Sequence, residues 1–208
     1  MSVFDLDRTL IRTNSSFSFG QYLYRKKLLT AAKALQYASC YCLFPLGLLN
    51  IKQVQEILFR KLFFHQDAFA YAKLAKDFVL DMAPKLIYKP AVHYLNSAKQ
   101  QGQQTIILSS GPDFLVKCFA EYFGVDAWAA TVYSTDSNHR FSAIGPWMLP
   151  QDKKRCIETL TDVSKKNITA FSDSFHDLPF LKAAGKAIAV NPDRRLRQFA
   201  RKQVWQII

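Results

Sequence analysis

The sequence predicts an α/β protein: a parallel sheet with a helical segment inserted after its first strand. Two observations carry this. Three short apolar runs, Ser2 to Asp5, Thr105-Ile106-Ile107-Leu108 and Ile168-Thr169-Ala170-Phe171, each break at once into acidic or small polar residues. Runs of this kind suit buried parallel strands, whose carboxyl ends line the ligand crevice of an open α/β sheet. The roughly ninety residues between the first two runs exceed any ordinary loop and are patterned as helix.

In chain order, the strand at Ser2 to Asp5 is followed by helical pattern from about Ser15, ending near the basic Arg25-Lys26-Lys27. Further helical stretches are expected at Leu28 to about Leu43, Ile51 to Phe64 and Gln66 to about Met82, with breaks at Pro45 and Gly47. Pro84 and Pro90 punctuate the return to the sheet, Pro90 fitting the first turn of a helix that ends at Gly102. After the Thr105 strand come a helix at Asp113 to Phe123 and a hairpin within Thr131 to Gly145 that turns at Asp136-Ser137-Asn138. A helix at Lys153 to Val163, the Ile168 strand, a last strand at Ala187 to Val190 and a basic tail complete the chain. The expected division is a core of residues 1–12 and 85–208 and a helical cap of residues 13–84.

Composition narrows the class. Half of the 208 residues are hydrophobic and 21% are charged, which argues against disorder. The net charge of +12 suits anionic partners such as phosphorylated substrates or lipid headgroups, and equally a generic basic surface. Cys40, Cys42, Cys118 and Cys156 form no Cys-x-x-Cys pair and read as reduced thiols rather than a zinc site. An acidic pair as early as residue 5 leaves no room for a cleavable leader, so a cytoplasmic location is expected.

Asp5 and Asp7 lie two apart in extended backbone and face the same side. Carboxylates this close need a cation between them or a proton on one of them. Both solutions serve chemistry, since a hard cation such as Mg2+ takes oxygen ligands and a protonated carboxyl is a general acid. Asp5-x-Asp7-x-Thr9, Ser109, Lys153 and Asp173-x3-Asp177, in that order, resemble the four motifs of the haloacid dehalogenase superfamily of phosphohydrolases. The stretches SDSFHDLPFL and VNPDRRLR, with a cap between motifs one and two, are similar to subfamily IB, the branch that includes phosphoserine phosphatase.

The resemblance implies a Rossmann-like core and Mg2+-dependent hydrolysis of a phosphate monoester. It implies Asp5 as nucleophile, forming an aspartyl-phosphate, and Asp7 as general acid and then base. It places Mg2+ on Asp5, the Asp7 carbonyl, Asp173 and Asp177. Ser109, with the backbone from Ser110 onward, would hold phosphoryl oxygens, and Lys153 would neutralise Asp5 and phosphate together. Ser109 competes with Ser110, and Lys153 with Lys154; strand position and helix spacing favour the first of each. Thr9 reads as structural, Arg8 as solvent-facing, and Ser172 as a mild change from the usual Gly.

Phosphoserine phosphatases carry a Glu seven residues after the second aspartate; here that position is Asn14, which disfavours phosphoserine. The apolar run Ala34 to Leu49, preceded by Arg25, Lys26, Lys27 and Lys33, reads first as a packed cap helix and second as a helix lying in a membrane interface. It is similar to the cap of bacterial phosphatidylglycerophosphate phosphatase of the C type. Lys182 to Ile208, with seven Lys/Arg against one acid, reads as a solvated helix or a second lipid-facing surface. Three functions therefore compete: a phosphatase for a phospholipid-type phosphate, with peripheral contact at the cytoplasmic membrane face as part of that reading; a phosphatase or phosphotransferase for a small soluble ester; and a non-catalytic lipid- or nucleic-acid-binding protein. The full acidic set argues against the third.

Overall fold

A computed structural model describes residues 1–43, 50–159 and 164–208. The expected breaks at Pro45 and Gly47 and the end of the helix reaching Val163 lie outside the described residues.

Among the described residues, six strands form a fully parallel sheet in the order β3-β2-β1-β6-β7-β8. They are β1 (Ser2–Phe4), β2 (Thr105–Pro112), β3 (Ala127–Thr131), β6 (Thr169–Ser172), β7 (Lys186–Ala189) and β8 (Gln206–Ile207). The remaining two, β4 (Tyr133–Thr135) and β5 (Phe141–Ile144), make an antiparallel hairpin with its turn at the expected Asp136-Ser137-Asn138. Because β1 pairs with β2 on one side and β6 on the other, strand order reverses beside it. That switch point is where an open α/β sheet leaves its ligand crevice.

The strands are apolar on both faces because both faces are covered. Phe4, Ile107, Phe171 and Ile188 point to one side, where α5 (Lys89–Gln100) and α6 (Asp113–Phe123) supply Leu95, Leu115 and Phe119. Val3, Leu108, Ala170 and Ala189 point to the other, against Ile157 of α7 (Pro150–Glu158), Phe180 of α8 (Leu178–Ala183) and Leu196 of α9 (Arg194–Lys202). Phe4 and Phe171 stack with centroids 4.2 Å apart, locking β1 to β6 directly below the crevice.

Between β1 and α5 the described chain is helical: α1 (Ser15–Arg25), α2 (Ala31–Leu43), α3 (Ile51–Leu58), a π-helical turn at Phe59–Phe63 and α4 (Ala68–Leu86). The π turn closes with Phe64 N–H donating to the Phe59 carbonyl at 2.8 Å, and Phe59, Leu62 and Phe63 are all buried. Phe63 meets Phe114 of α6 at 5.7 Å and Phe141 of β5 at 6.0 Å, so rings join this segment to the sheet layer and the hairpin.

Several boundaries differ from expectation for identifiable reasons. β2 does not stop at Leu108; past an irregularity at Ser109 its backbone keeps pairing until Pro112 meets Thr131. β3, Ala-Trp-Ala-Ala-Thr, went unread because it has neither a β-branched run nor clean alternation. α4 continues beyond Met82 through Pro84, whose missing N–H falls opposite Leu80, a residue 60% exposed. α7 begins earlier, at Pro150, where the ring suits the first turn and the Asp152 carboxylate accepts from the Leu149 N–H at 3.1 Å.

Candidate active site

Three adjacent strand ends deliver the polar residues. Asp5 follows β1, Ser109 lies on β2, and Asp173 follows β6. Beyond Asp5 the chain wraps around one carbonyl: the N–H groups of Thr9, Leu10 and Ile11 all donate to Leu6 O at 3.3, 3.0 and 3.2 Å. Arg8 takes a left-handed conformation at φ 58° and stays exposed, as expected. Thr9, fully buried, donates its hydroxyl to Asp5 Oδ2 at 3.3 Å, the structural part expected of it.

Lys153 enters from α7 and is 2% exposed. Its Nζ donates to Asp5 Oδ1 at 2.6 Å and to Asp177 Oδ2 at 2.8 Å. Lys154 turns outward and pairs with Glu158 at 3.6 Å, so the structure brings Lys153, not Lys154, to the acids. Asp177 ends a short 3-10 turn (Phe175–Asp177) and also accepts from the Ser172 hydroxyl at 2.8 Å. Ser172 is therefore more than a mild change from Gly: glycine at that position would leave Asp177 without this donor. The Asp173 backbone is fixed by its carbonyl, which accepts from Asp193 N–H at 2.9 Å.

Asp7 is held from another direction. Ser15 N–H donates to Oδ1 and Asn14 Nδ2 to Oδ2, each at 2.8 Å. Asn14 Oδ1 simultaneously accepts from Phe17 N–H at 2.9 Å and caps α1. The residue noted in the sequence for lacking a charge therefore joins Asp7 to the start of the first helix. Asn14→Ala is expected to lower stability by about 1 kcal/mol through the lost cap. It is also expected to lower activity by more than that destabilisation explains, as chemical denaturation beside kinetics would show.

Ser109 is buried, and its Oγ accepts from Gly111 N–H at 3.1 Å. The Ser110 hydroxyl donates to the Met148 carbonyl at 2.7 Å, which commits it to structure and separates the two serines. The Ser110 carbonyl in turn accepts from Thr131 Oγ1 at 3.0 Å and from Gln55 Nε2.

The electrostatics are those of crowded acids. Burial pushes the Asp5 carboxyl up to about 7; Lys153 opposes the rise, and Asp177 and Asp7 add to it. Burial also raises Asp7, against the Ser15 hydrogen bonding that favours its charge. Asp173 is pushed well above the usual carboxylate range by burial and by its neighbours Asp5 and Asp177. Burial alone would lower Lys153, but Asp177 and Asp5 outweigh it and hold the ammonium charged. Four carboxyls thus share one buried cation. As the side chains stand, Asp5 and Asp177 close on Lys153, and among the described residues no three acidic, His or Cys side chains converge on a common point. The donor set is nonetheless all oxygen and short of positive charge, the chemistry that suits a hard divalent cation.

Residues 2–182 match the family model for haloacid dehalogenase-like hydrolases. The chain belongs to that family. Histidinol-phosphatase of Neisseria meningitidis serogroup C is 27% identical over 219 residues, covering 100% of this chain and 97% of that protein. A phosphoserine phosphatase of Mycobacterium tuberculosis is 26% identical over 211 residues, covering 98% of this chain and 68% of its own length. Among solved structures, a Bordetella pertussis protein of unknown function superimposes with a TM-score of 0.86 at 22% identity, covering 100% and 97% of the two chains. The chain is therefore an enzyme by family, on the α/β core that the three strand ends predicted.

Proposed function

We propose that this hydrolase is a phosphomonoesterase that works through a phosphoryl group carried on Asp5. The observation that carries the proposal is the placement of Asp5 at the switch point, with one carboxylate oxygen against the Lys153 ammonium and the other against the Thr9 hydroxyl. Such pairing favours the ionised form of Asp5 against the effect of burial and aims it, as a nucleophile requires. In the proposed sequence Asp5 attacks phosphorus, and the ester oxygen leaves with a proton from Asp7. Asp7, steadied by Asn14 and Ser15, then takes a proton from the water that cleaves the aspartyl-phosphate. Ser109 and the backbone amides that follow it at the end of β2 face the phosphoryl oxygens, and Lys153 balances their charge.

Asp5, the Asp7 carbonyl, Asp173 and Asp177 would hold Mg2+, as the oxygen-only donor set suits. When bound, the ion supplies charge neutralisation between the nucleophile and the phosphoryl oxygens.

For the substrate, a small soluble phosphate ester is the favoured reading. The support is the naming of relatives that span this whole chain as phosphatases of histidinol and phosphoserine types. Asn14, bound to Asp7, offers no carboxylate to an ammonium, which continues to disfavour phosphoserine itself. A lipid phosphate such as phosphatidylglycerophosphate is the second reading. It rests on Leu28 and Leu35, 53% and 73% exposed, near the exposed Lys26, Lys27 and Lys33. Among the described residues no helix is long and apolar enough to cross a membrane.

Phosphate release with Mg2+ or EDTA, over histidinol phosphate, phosphoserine, nucleotides and phosphatidylglycerophosphate, tests both readings. Mg2+-dependent turnover of a soluble ester is expected. Turnover of the lipid alone, with co-sedimentation on anionic vesicles, would replace the first substrate reading with the second. Absence of release from every ester would remove the phosphomonoesterase proposal.

A further inference from the structure

The stretch Val190-Asn191-Pro192-Asp193-Arg194-Arg195-Leu196-Arg197 supplies no group to the proposed chemistry, yet it is fastened to the loop that carries Asp173 and Asp177. Val190 N–H continues the β6–β7 pairing by donating to the Ser172 carbonyl at 2.9 Å. Asp193 then meets the loop twice. Its backbone N–H donates to the Asp173 carbonyl at 2.9 Å, and its Oδ2 accepts from Phe175 N–H at 2.7 Å. The residues on either side of Ser174 are thus both held by Asp193.

The other carboxylate oxygen, Oδ1, accepts from Leu196 N–H at 2.8 Å and caps α9. Above the same loop the Arg195 guanidinium lies 4.3 Å from the centroid of the Phe175 ring, which Phe199 meets at 6.2 Å. With Leu196 and Ala200 buried, α9 is an anchor for the loop. A helix cap needs a single acceptor oxygen, which Ser or Asn also supplies. The carboxylate does more, placing a second oxygen on Phe175 N–H. The loop has use for it: Asp173 is 8% exposed and stands beside Asp5 and Asp177, like charges that oppose its ionised form.

We propose that Asp193 is a positioning residue for the divalent-cation site, fixing the backbone of the Asp173–Asp177 loop so that the ion binds without first having to order it. Residues that orient ligands in this way govern metal affinity without touching the metal. The proposal rests on the phosphomonoesterase reading, which puts Mg2+ on Asp173 and Asp177, and adds to it a residue outside the four motifs.

The test compares wild type, Asp193→Ser, Asp193→Asn and Asp67→Ala. The two Asp193 variants keep an oxygen for Leu196 N–H, and with it the cap, but lose the acceptor at Phe175. Asp67→Ala removes a cap elsewhere, that of α4, where Asp67 Oδ1 accepts from Ala70 N–H at 3.0 Å. Each protein is measured for its Mg2+ dissociation constant by calorimetry, its denaturation midpoint in EDTA and its phosphate release from p-nitrophenyl phosphate. Both Asp193 variants are expected to keep midpoints near that of wild type and to bind Mg2+ about tenfold more weakly. Saturating Mg2+ is expected to restore most of their turnover. Asp67→Ala is expected to lower the midpoint and leave Mg2+ affinity unchanged. Wild-type Mg2+ affinity in both Asp193 variants would overturn the proposal, as would an equal loss of affinity in Asp67→Ala or a wild type that binds no Mg2+. A wild type that binds Mg2+ but releases no phosphate would instead overturn the phosphomonoesterase reading, and the calorimetry would still decide the part of Asp193.

Discussion

Lys153→Met is expected to lower kcat/KM by about a thousandfold and to destabilise the fold in the absence of divalent metal. Its Nζ is the buried cation shared by Asp5 and Asp177, at 2.6 and 2.8 Å. Methionine fills much the same volume and removes the charge together with the hydrogen bonds to Asp5 and Asp177. The kinetic loss follows from removing a preorganised positive group beside the site of phosphoryl transfer. The stability loss, about 3–5 kcal/mol, follows from leaving carboxylates buried and unpaired. Steady-state kinetics and urea denaturation in EDTA would measure the two. Added Mg2+ is expected to recover part of the stability, because a divalent ion answers the same excess of negative charge. Lys154→Met serves as the contrast: its exposed pairing with Glu158 predicts a change within about 0.5 kcal/mol.

Asp5→Asn is expected to separate activity from stability in the other direction. Loss of the proposed nucleophile should cost a factor on the order of ten thousand or more in kcat. The fold should survive, with a denaturation midpoint at or above that of wild type in EDTA. Asp5 is raised to about 7 chiefly by burial, with Asp177 and Asp7 adding to the strain. An amide in its place removes one of the crowded charges and leaves Lys153 paired to Asp177 at 2.8 Å. A large drop in midpoint would mean that Asp5 serves the fold rather than the reaction.

What the sequence showed and what it hid divide along physical lines. β1, β2 and β6 were readable because buried parallel strands must be apolar and their carboxyl ends are where polar residues gather. Asp5, Ser109 and Asp173 lie at those ends, and Lys153 reaches them from the first turns of α7. β3 was hidden, since an alanine-rich edge strand shows no periodicity. Ser172 and Asn14 were seen only as departures from a pattern, yet they hold Asp177 and Asp7. Gln55 was hidden altogether. It lies on a helix with the ordinary spacing of a packed face, and only the fold brings it against Ser110. A polar residue on an otherwise buried face, between Val54 and Leu58, is the one signal that could have marked it.

The most direct test of Asp5 as the nucleophile is the location of the phosphoryl group during turnover. Wild type and Asp5→Asn would be mixed with p-nitrophenyl phosphate and Mg2+, quenched in acid, digested and mapped by mass spectrometry. The expected result is a phosphoryl adduct on the N-terminal peptide, assigned to Asp5 by fragmentation and lacking in Asp5→Asn. Turnover with the adduct on another residue, or undiminished turnover by Asp5→Asn, would contradict it.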